Sequence, residues 1–233
     1  KKFKKKKIDT IFHFAGQSSG ENSFYDIHRD INDNYLSTLN LIDLCKDTNC
    51  KLFFFASSMA VYGDSDYQIV KEKNPTNPKS YYAINKRSSE SVLEIFSKKN
   101  KTNVTIFRLF NVYGPGQNLR NKKQGMLKIY ISQLLTGNKL IVKGSLKRFR
   151  DFIYIDDVIN AISISFKKKI KGFNIFNLGT GKKFFVKDCI NLIKKNFKKK
   201  IFLKIQSGTP GDQIGVYADI KKIKHIITIL HWK

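Results

Sequence analysis

Short apolar runs alternate along the chain with longer segments in which apolar and polar positions mix. Residues 8–14 and 104–110 are rich in β-branched and aromatic side chains, and residues 52–55 form a continuous apolar run. An unbroken apolar run is typical of a parallel strand that is buried on both faces of its sheet. We therefore predict that these three segments are strands of one parallel sheet.

Between the predicted strands, apolar residues recur at the spacing of an α-helix. Residues 26–45 and 80–96 carry apolar side chains three and four positions apart, which places these side chains on one face of a helix. Strands that alternate with helices are joined by crossover connections and form a parallel sheet covered by helices. The pattern therefore predicts an α/β fold.

The pattern changes after Gly114-Pro115-Gly116. The spacing predicts helices over residues 126–135, 158–166 and 186–197, with short strands at residues 140–142, 152–155 and 173–178. Asp156 and Asp219 precede helical patterns and are predicted N-caps. We expect residues 1–114 to build most of the sheet, and residues 115–233 to form a smaller α+β region with some strands that return to the sheet.

The carboxyl ends of the first three predicted strands carry unusual residues. His13-Phe14-Ala15-Gly16 ends the first strand, Ser57-Ser58 ends the second and Asn111 ends the third. Ligands of open α/β sheets bind in the crevice at the carboxyl ends of the strands. The sequence therefore predicts a cleft at this edge of the sheet.

The strongest chemical signal is the segment Tyr82-Ala-Ile-Asn-Lys86 on a predicted helix. A spacing of four places Tyr82 and Lys86 on one face, about one turn apart. Tyrosine has an ordinary pKa of about 10, and a nearby ammonium group lowers this pKa by favouring the phenolate. We predict a tyrosine that exchanges a proton with a substrate hydroxyl, to which Ser58 also bonds. An ordinary amphipathic pair is the alternative.

The composition is that of a globular chain with an excess of basic residues. Of 233 residues, 41% are hydrophobic and 27% are charged, and the formal net charge is +26. The chain has 38 Lys but 6 Arg, together with 29 Ile and 19 Asn, a combination that AT-rich codons supply. Phosphate-binding proteins rely on Arg for bidentate contacts, and these lysines are dispersed. We therefore predict a solvated basic surface and no specific nucleic-acid partner.

Cysteine and histidine usage indicates a reducing compartment. The three cysteines, Cys45, Cys50 and Cys189, include no CxxC pair, and the four histidines are scattered. Such thiols are typically reduced in a cytosolic protein, and a zinc site needs clustered ligands. No apolar run reaches the length of about 18 residues that a membrane span needs. We expect a cytoplasmic protein without a metal or a membrane partner.

Further motifs follow in an order that identifies a family. They are Asp9-Thr-Ile-Phe-His13-Phe-Ala-Gly16, Asn34-Tyr-Leu-Ser-Thr38, Ser57-Ser-Met-Ala-Val-Tyr-Gly63, Tyr82-Ala-Ile-Asn-Lys86, Asn111-Val-Tyr-Gly-Pro-Gly116, Arg150-Asp-Phe-Ile-Tyr-Ile-Asp-Asp-Val158, Asn177-Leu-Gly-Thr-Gly181 and Pro210-Gly-Asp212. With these motifs the chain resembles the extended short-chain dehydrogenase/reductases, and among them the NAD-dependent nucleotide-sugar epimerases and dehydratases. The resemblance implies a partial Rossmann-like sheet, the cofactor NAD and a nucleotide-diphosphate-sugar substrate.

The resemblance also implies a role for each matching residue. Ser58, Tyr82 and Lys86 are implied to be catalytic, with Tyr82 as the general acid/base. The residues implied at the NAD site are His13, Ala15, Gly16, Asn34, Ser57, Tyr82 and Lys86. The residues implied at the nucleotide-sugar site are Ser58, Asn111, Arg150 and Asp212. The residues alone leave open that Asn111 only satisfies a turn, and that Arg150 pairs with Asp151 or Asp156.

The resemblance also implies a domain organisation, in which one segment of the family's usual organisation is not matched. Residues 1–114 match a partial dinucleotide-binding domain, residues 115–233 match mainly the nucleotide-sugar-binding region, and the family's members are homodimers. The chain begins where the family's fourth strand begins, without the Gly-rich turn that binds the cofactor pyrophosphate. We therefore expect a truncated form that binds NAD weakly and exposes the edge of the strand at residues 8–14. Thr209 also replaces an Arg found in related epimerases.

The two positions after Ser58 favour one reaction among those of the family. Dehydratases that resemble this region carry acids there, one of which removes a proton from the sugar, whereas this chain has Met59 and Ala60. The resemblance therefore favours epimerisation, in which NAD takes a hydride and returns it to the other face of a keto-sugar. The alternatives are a dehydratase or reductase of the same family, or a catalytically silent remnant.

Overall fold

The computed structural model describes residues 7–121, 124–197 and 200–227. The strands in these ranges are β1 (Thr10–His13), β2 (Leu52–Ser58), β3 (Ile69–Val70), β4 (Asn103–Leu109), β5 (Asn111–Tyr113), β6 (Lys139–Lys143), β7 (Phe149–Arg150), β8 (Phe152–Tyr154), β9 (Phe173–Leu178), β10 (Phe184–Phe185), β11 (Phe202–Gln206) and β12 (Tyr217–Ala218). The α-helices are α1 (Gly20–Ser23), α2 (Ile27–Ile31), α3 (Ser37–Thr48), α4 (Tyr81–Asn100), α5 (Met126–Thr136), α6 (Ile155–Lys168), α7 (Val186–Asn196) and α8 (Lys221–Ile226). Among these helices, none is both long and apolar enough to cross a lipid bilayer.

The central sheet is parallel and has the strand order β1-β2-β4-β9. Phe53 of β2 lies opposite Ile11 of β1 on one side and opposite Val104 of β4 on the other. Side chains from α3 and α4 cover one face of the sheet, and side chains from α6 and α8 cover the other. The predicted α/β fold is therefore confirmed, and β9 shows that residues beyond 115 contribute to the main sheet.

Successive phenylalanines of β2 point into opposite hydrophobic layers, because side chains alternate along a strand. Phe54 stacks on Phe107 with ring centroids 6.4 Å apart, in the layer under α6 and α8. Phe53 and Phe55 pack with Leu93 in the layer under α3 and α4. Because both layers are closed, every position of this stretch must be apolar.

The second half of the chain adds smaller pairings around a third hydrophobic cluster. This cluster joins α5, β6 and α7, with Tyr130, Leu140 and Ile190 among its buried members. Strand β6 pairs in parallel with β11, and β7 pairs antiparallel with β10. The pairs β5-β8 and β3-β12 each join a strand from before residue 115 to one from after it.

The structure differs from the sequence-based predictions in the helix over residues 26–45 and in the predicted N-caps. The sequence predicts one helix over residues 26–45, but the structure divides it into α2, a π-helical turn at Asn32–Leu36 and α3. The sequence predicts Asp156 as an N-cap, but α6 begins one residue earlier and Asp156 lies in its first turn, near the positive end of the helix dipole. The prediction of Asp219 as an N-cap is also wrong by one residue, because Ile220 is the N-cap of α8, although Asp219 Oδ1 accepts the backbone N–H of Lys221 at 2.9 Å.

Helix α4 carries the Tyr-Lys segment and is capped at both ends. Ser80 precedes the helix, and its Oγ accepts a hydrogen bond of 3.2 Å from a backbone N–H of the first turn, as an N-cap does. Lys101 ends the helix in the left-handed conformation, with φ of 52°. Tyr82, Lys86 and Glu90 are all buried, as their spacing of four on the inner face requires.

A buried ion pair joins α4 to the central sheet. Arg108 on β4 donates from Nη2 and Nε to the two carboxylate oxygens of Glu90, at 2.7 and 2.9 Å, and both side chains are almost fully buried. Ser57 at the end of β2 donates to the same carboxylate at 2.6 Å. The pair therefore fixes α4 over β2 and β4, and with it the positions of Tyr82 and Lys86.

His13 closes the carboxyl end of β1 inside the core. Its Nε2 lies 2.9 Å from Thr38 Oγ1, and the Thr38 hydroxyl donates to the backbone oxygen of Asn34 at 3.0 Å. Because that hydroxyl proton is used, we assign the imidazole proton to Nε2. Burial, to which the charge of Lys86 adds, lowers the pKa of His13 to about 4, so the buried imidazole is neutral at pH 7.

We expect Glu90→Ala to lower the free energy of unfolding by about 3–5 kcal/mol, because it leaves the Arg108 charge buried without a partner. Urea denaturation followed by circular dichroism measures this loss. The matched control is Glu94→Ala, one turn later on α4, where the ion pair with Lys98 is exposed and its loss costs about 1 kcal/mol or less. Equal losses in the two variants would contradict the anchoring role of Glu90.

We expect the free energy of unfolding to fall as the pH drops from about 6.5 to about 4, in part because of His13. Over this range the unfolded imidazole binds a proton that the folded one does not. The contribution is about 3 kcal/mol at 1.36 kcal/mol per pKa unit. His13→Gln should flatten this slope in urea titrations at several pH values. His28→Gln, on the exposed side of α2, should leave it unchanged, and an unchanged slope in both variants would refute the assignment.

Candidate active site

A cavity of about 590 Å³ lies at the carboxyl ends of β1, β2 and β4. Among the residues singled out in the sequence, its wall contains Gly16, Ser57, Ser58, Tyr82, Lys86, Asn111, Arg150 and Asp212. The structure therefore contains the cleft that the strand ends predict. It also brings the Tyr-Lys pair into the same cavity as the residues implied at the nucleotide-sugar site.

Tyr82 and Ser58 meet inside this cavity. The side chain of Ser58 lies beside the phenol of Tyr82 and acts to lower its pKa, and the Ser58 Oγ accepts the backbone N–H of Ala60 at 3.1 Å. Burial raises the pKa of Tyr82 to about 12, the side chain of Ser58 opposes this rise, and the carboxylate of Asp30 adds to it. Tyr82 therefore holds its proton at neutral pH.

Lys86 lies one turn further along α4, with its ammonium group over aromatic rings. Its Nζ is 4.8 Å from the ring centroid of Phe55 and 5.9 Å from that of Tyr82, positions in which a ring attracts a cation. Burial lowers the pKa of Lys86 to about 8, and the carboxylate of Asp30 opposes this fall. The predicted lowering of the Tyr82 pKa is wrong for this structure, because burial raises this pKa.

Three residues implied at the cofactor site lie outside the cavity wall. Ala15 is exposed, whereas His13 and Asn34 are buried. Within the described ranges, His13 Nδ1 and Asn34 Oδ1 have no hydrogen-bond partner. Gly16 has φ of 143°, and a Cβ at this position would stand 2.7 Å from Asn34 Oδ1. Only glycine permits this approach, so Gly16 gives the wall its shape next to an unpaired acceptor.

Arg150 and Asp212 form an ion pair in another part of the wall. Arg150 Nη2 lies 3.0 Å from Asp212 Oδ1, and Arg148 pairs with the other oxygen of the same carboxylate. Arg150 Nη1 also donates to backbone oxygens at 2.7 and 3.2 Å. The pairing of Arg150 with Asp151 or Asp156, left open by the sequence, is therefore wrong. The carboxylate of Asp212 instead orients two guanidinium groups.

Asn111 lines the cavity and also satisfies its own strand. Its side-chain Nδ2 and its backbone N–H both donate to the backbone oxygen of Asp151, at 3.1 and 3.0 Å. These bonds join the start of β5 to the start of β8. Asn111 therefore supports a strand pairing, and not the turn that the sequence left open, in addition to its place in the wall.

Sequence reasoning missed Asp30 and Lys128. Asp30 is buried on α2, and Lys128 on α5 lines the cavity, where its Nζ donates to the backbone oxygen of Asn121 and burial lowers its pKa. The signal for Asp30 was available, because Asp30, Asn34 and Thr38 form a polar stripe at helical spacing between apolar residues. A buried polar stripe indicates a hydrogen-bonded network behind a site.

Metal ligands do not cluster at the site. In the part of the chain that the structure describes, no group of three His, Cys, Asp or Glu side chains is placed to hold a metal ion. Cys45, Cys50 and Cys189 are free thiols and are buried. The groups that the cavity does offer are a phenol, a serine hydroxyl, an ammonium and a guanidinium, which suit proton transfer and the binding of anions.

Comparison with known proteins places these features in a family. A model of the NAD dependent epimerase/dehydratase family matches residues 1–179. The chain is 32% identical over 189 residues to a dTDP-D-glucose 4,6-dehydratase of Dictyostelium discoideum, which covers 76% of this chain and 42% of that protein. It is 33% identical over 178 residues to an ADP-L-glycero-D-manno-heptose-6-epimerase of Brachyspira hyodysenteriae, which covers 75% of this chain and 55% of that protein. The chain thus spans about half the length of these two relatives.

A solved structure with a similar fold is the UDP-glucuronic acid 4-epimerase of Bacillus cereus, in complex with UDP-glucuronic acid and NAD. It superimposes with a TM-score of 0.87 at 28% sequence identity, over 95% of this chain and 70% of that chain. The fold and the sequence match therefore agree. Because the family match covers well over half of its residues, the chain belongs to the NAD dependent epimerase/dehydratase family.

Proposed function

We propose that the protein is an NAD-dependent epimerase of a nucleotide-diphosphate sugar, acting through a keto-sugar. The observation that supports this choice is that Met59 and Ala60 line the same cavity as Ser58 and Tyr82. Neither of these side chains accepts a proton, so the elimination of water from the sugar lacks its base at the positions where related dehydratases carry acids. Epimerisation needs only a group that takes the hydroxyl proton and returns it.

Tyr82 is the proposed group for that proton transfer. Tyr82 and Ser58 both line the cavity, and Ser58 lies close enough to the phenol to affect its pKa, so one sugar hydroxyl can contact both residues. The oxidation of the sugar uses the phenolate as a base, and the reduction of the keto-sugar uses the phenol as an acid. The ammonium of Lys86 supplies a positive charge that favours the phenolate while the proton moves.

The surroundings of Lys86 fit the nicotinamide-ribose end of NAD. Lys86 lines the cavity, and its Nζ donates no hydrogen bond to any residue within the described ranges, so its N–H groups are available to ribose hydroxyls. Gly16 leaves open the space that a Cβ would fill beside Asn34. When bound, NAD supplies the exchange of a hydride with the sugar carbon, while the chain's own residues hold the ribose and move the proton.

Arg150 is the proposed anchor of the substrate diphosphate. A guanidinium presents parallel N–H donors to phosphate oxygens, and Asp212 holds this guanidinium in place at 3.0 Å. Asn111 lines the same cavity and is assigned to the same subsite. An anchor at the diphosphate leaves the sugar free to turn inside the cavity, which the return of the hydride to the opposite face requires.

The same proposal assigns parts of the chain to the two ligands. Tyr82 and Lys86 belong to residues 1–114, which we assign to NAD, whereas Arg150 and Asp212 belong to residues 115–233, which we assign mainly to the nucleotide sugar.

A cytoplasmic homodimer, as the resemblance implies, is part of the proposal. Light scattering on the purified protein measures the assembly directly.

We expect Tyr82→Phe to lower the rate of epimerisation by about 10²–10⁴-fold, the usual contribution of a general acid/base. Proton NMR of the anomeric signals, with NAD and a uridine-diphosphate sugar, measures the rate. The matched control is Tyr81→Phe, one position earlier on α4, whose ring packs against Phe24 with centroids 5.5 Å apart. That variant should keep the rate of the parent protein. Full activity of Tyr82→Phe would remove the proposed acid/base.

We expect the reaction to interconvert two nucleotide sugars without net production of NADH, because the hydride returns to the same carbon. NMR identifies the sugar, and absorbance at the NADH band follows the cofactor. A 4-keto-6-deoxy sugar as the main product would instead indicate a dehydratase, and steady NADH consumption would indicate a reductase. An absence of turnover with NAD and a panel of nucleotide sugars would favour a catalytically silent protein.

A further inference from the structure

Asp30 is a buried carboxylate whose hydrogen bonds all come from neutral amides. The residue is 1% exposed. Gln17 donates to Oδ1 at 2.6 Å, Asn34 donates to Oδ1 at 3.1 Å, and Asn85 donates to Oδ2 at 2.7 Å. Three separate segments therefore converge on one anion, and Asn85 is the immediate neighbour of Lys86 on α4.

The backbone around Asp30 is shaped to make these contacts. Asp30 stands near the end of α2, directly before the π-helical turn at Asn32–Leu36. In this geometry Asn34 lies one turn after Asp30 and bonds to it, while its Oδ1 approaches Gly16. Gln17, the next residue, lines the cavity and bonds to the same carboxylate. Single π-helical turns occur frequently at functional sites.

Among the cations of the described residues, the negative charge of Asp30 acts on Lys86, whose pKa it raises. Within the described ranges, no Lys, Arg or His nitrogen lies within ion-pair distance of its carboxylate, and amides satisfy its hydrogen bonds without neutralising its charge. Charged groups on the elements that pack against α2 are already paired, as Glu21 with Lys143, Asp33 with Arg29, and Glu90 with Arg108. Lys86 remains, and His13, which also faces it, is neutral.

We propose that Asp30 is a positioning residue that holds Lys86 in its ammonium form and fixes Asn85 and Gln17 beside the reacting pair. Asp30 does not line the cavity and touches no reacting atom, so it acts through its neighbours. The inference rests on the proposed function only in that Lys86 and Tyr82 are taken as the groups that meet the cofactor and the substrate.

The direction of the electrostatic effect is the same on both groups. The carboxylate of Asp30 raises the pKa of Lys86, against the lowering by burial that leaves it at about 8. It also raises the pKa of Tyr82. Removal of the negative charge at position 30 should therefore lower both pKa values, so a pH profile that depends on the two groups should move as a whole to lower pH.

The variant that isolates the charge is Asp30→Asn. Its Oδ1 can still accept from Gln17 and Asn34, while its Nδ2 faces Asn85, whose amide can turn to present its oxygen instead. The matched control is Asp33→Asn, on the adjacent π-helical turn, where the acid is partly exposed and pairs with Arg29 at 3.5 Å. Asp30→Ser, with room for water at the three amides, is a second neutral variant, and circular dichroism establishes that each variant is folded.

The first measurement titrates Lys86 directly and needs no activity. In protein labelled with 13C and 15N at the lysine side chains, NMR follows each ammonium group, and Lys86→Met identifies the signal of Lys86. In the parent protein we expect this signal to titrate near pH 8. In Asp30→Asn or Asp30→Ser we expect a fall of about one pKa unit or more, and in Asp33→Asn no change.

The second measurement is the pH profile of epimerisation. In Asp30→Asn, the acidic limb and the basic limb of this profile should both move to lower pH. A purely structural role of Asp30 would lower the rate at every pH and leave the positions of both limbs unchanged. A Lys86 signal that is already deprotonated at pH 7 in the parent protein, or that is unmoved in a folded neutral variant, overturns the inference. A shifted Lys86 signal in a protein without any turnover would support the inference and count against the proposed function.

Discussion

The ion pair between Glu90 and Arg108 ties α4 to the sheet and thereby sets the position of the whole site. Both charges are buried, so each would be costly without the other, and a shift of α4 along the sheet would break the two bonds at 2.7 and 2.9 Å. Tyr82 and Lys86 precede Glu90 by two turns and one turn on the same face. Their place over the end of β2 is therefore fixed by a residue that takes no part in the chemistry.

The buried or nearly buried acids Glu90, Asp212 and Asp30 differ in how their charge is compensated. Glu90 is neutralised by Arg108, and Asp212 is shared by two arginines. Asp30 receives hydrogen bonds from amides alone. The first two acids therefore orient cations and exert little net field, whereas the field of Asp30 reaches its neighbours on α4. The carboxylate of Asp30 therefore raises the pKa values of both Tyr82 and Lys86.

Features that depend on residues close together in the sequence could be predicted. The apolar run at residues 52–55 requires a strand closed on both faces, and the spacing of Tyr82 and Lys86 fixes a common helical face. Contacts between distant residues could not be predicted. Asn85 is 55 positions from Asp30 and Asp212 is 64 positions from Arg148, and the periodicity of residues 26–45 fits a continuous helix as well as an interrupted one.

Burial moves the pKa values of the two proposed reacting groups in opposite directions, and both groups still hold their protons at pH 7. Tyr82 has a pKa of about 12 and Lys86 one of about 8, so at pH 7 the pair consists of a phenol and an ammonium. In the proposed epimerisation this is the form that reduces the keto-sugar, since that half of the reaction needs an acid. In the proposed oxidation half the phenol must first give up its proton, and an ammonium group beside it favours the resulting phenolate. An epimerase runs both halves in every turnover, so a cation that stays charged beside the tyrosine serves it better than a tyrosine tuned fully to the base form.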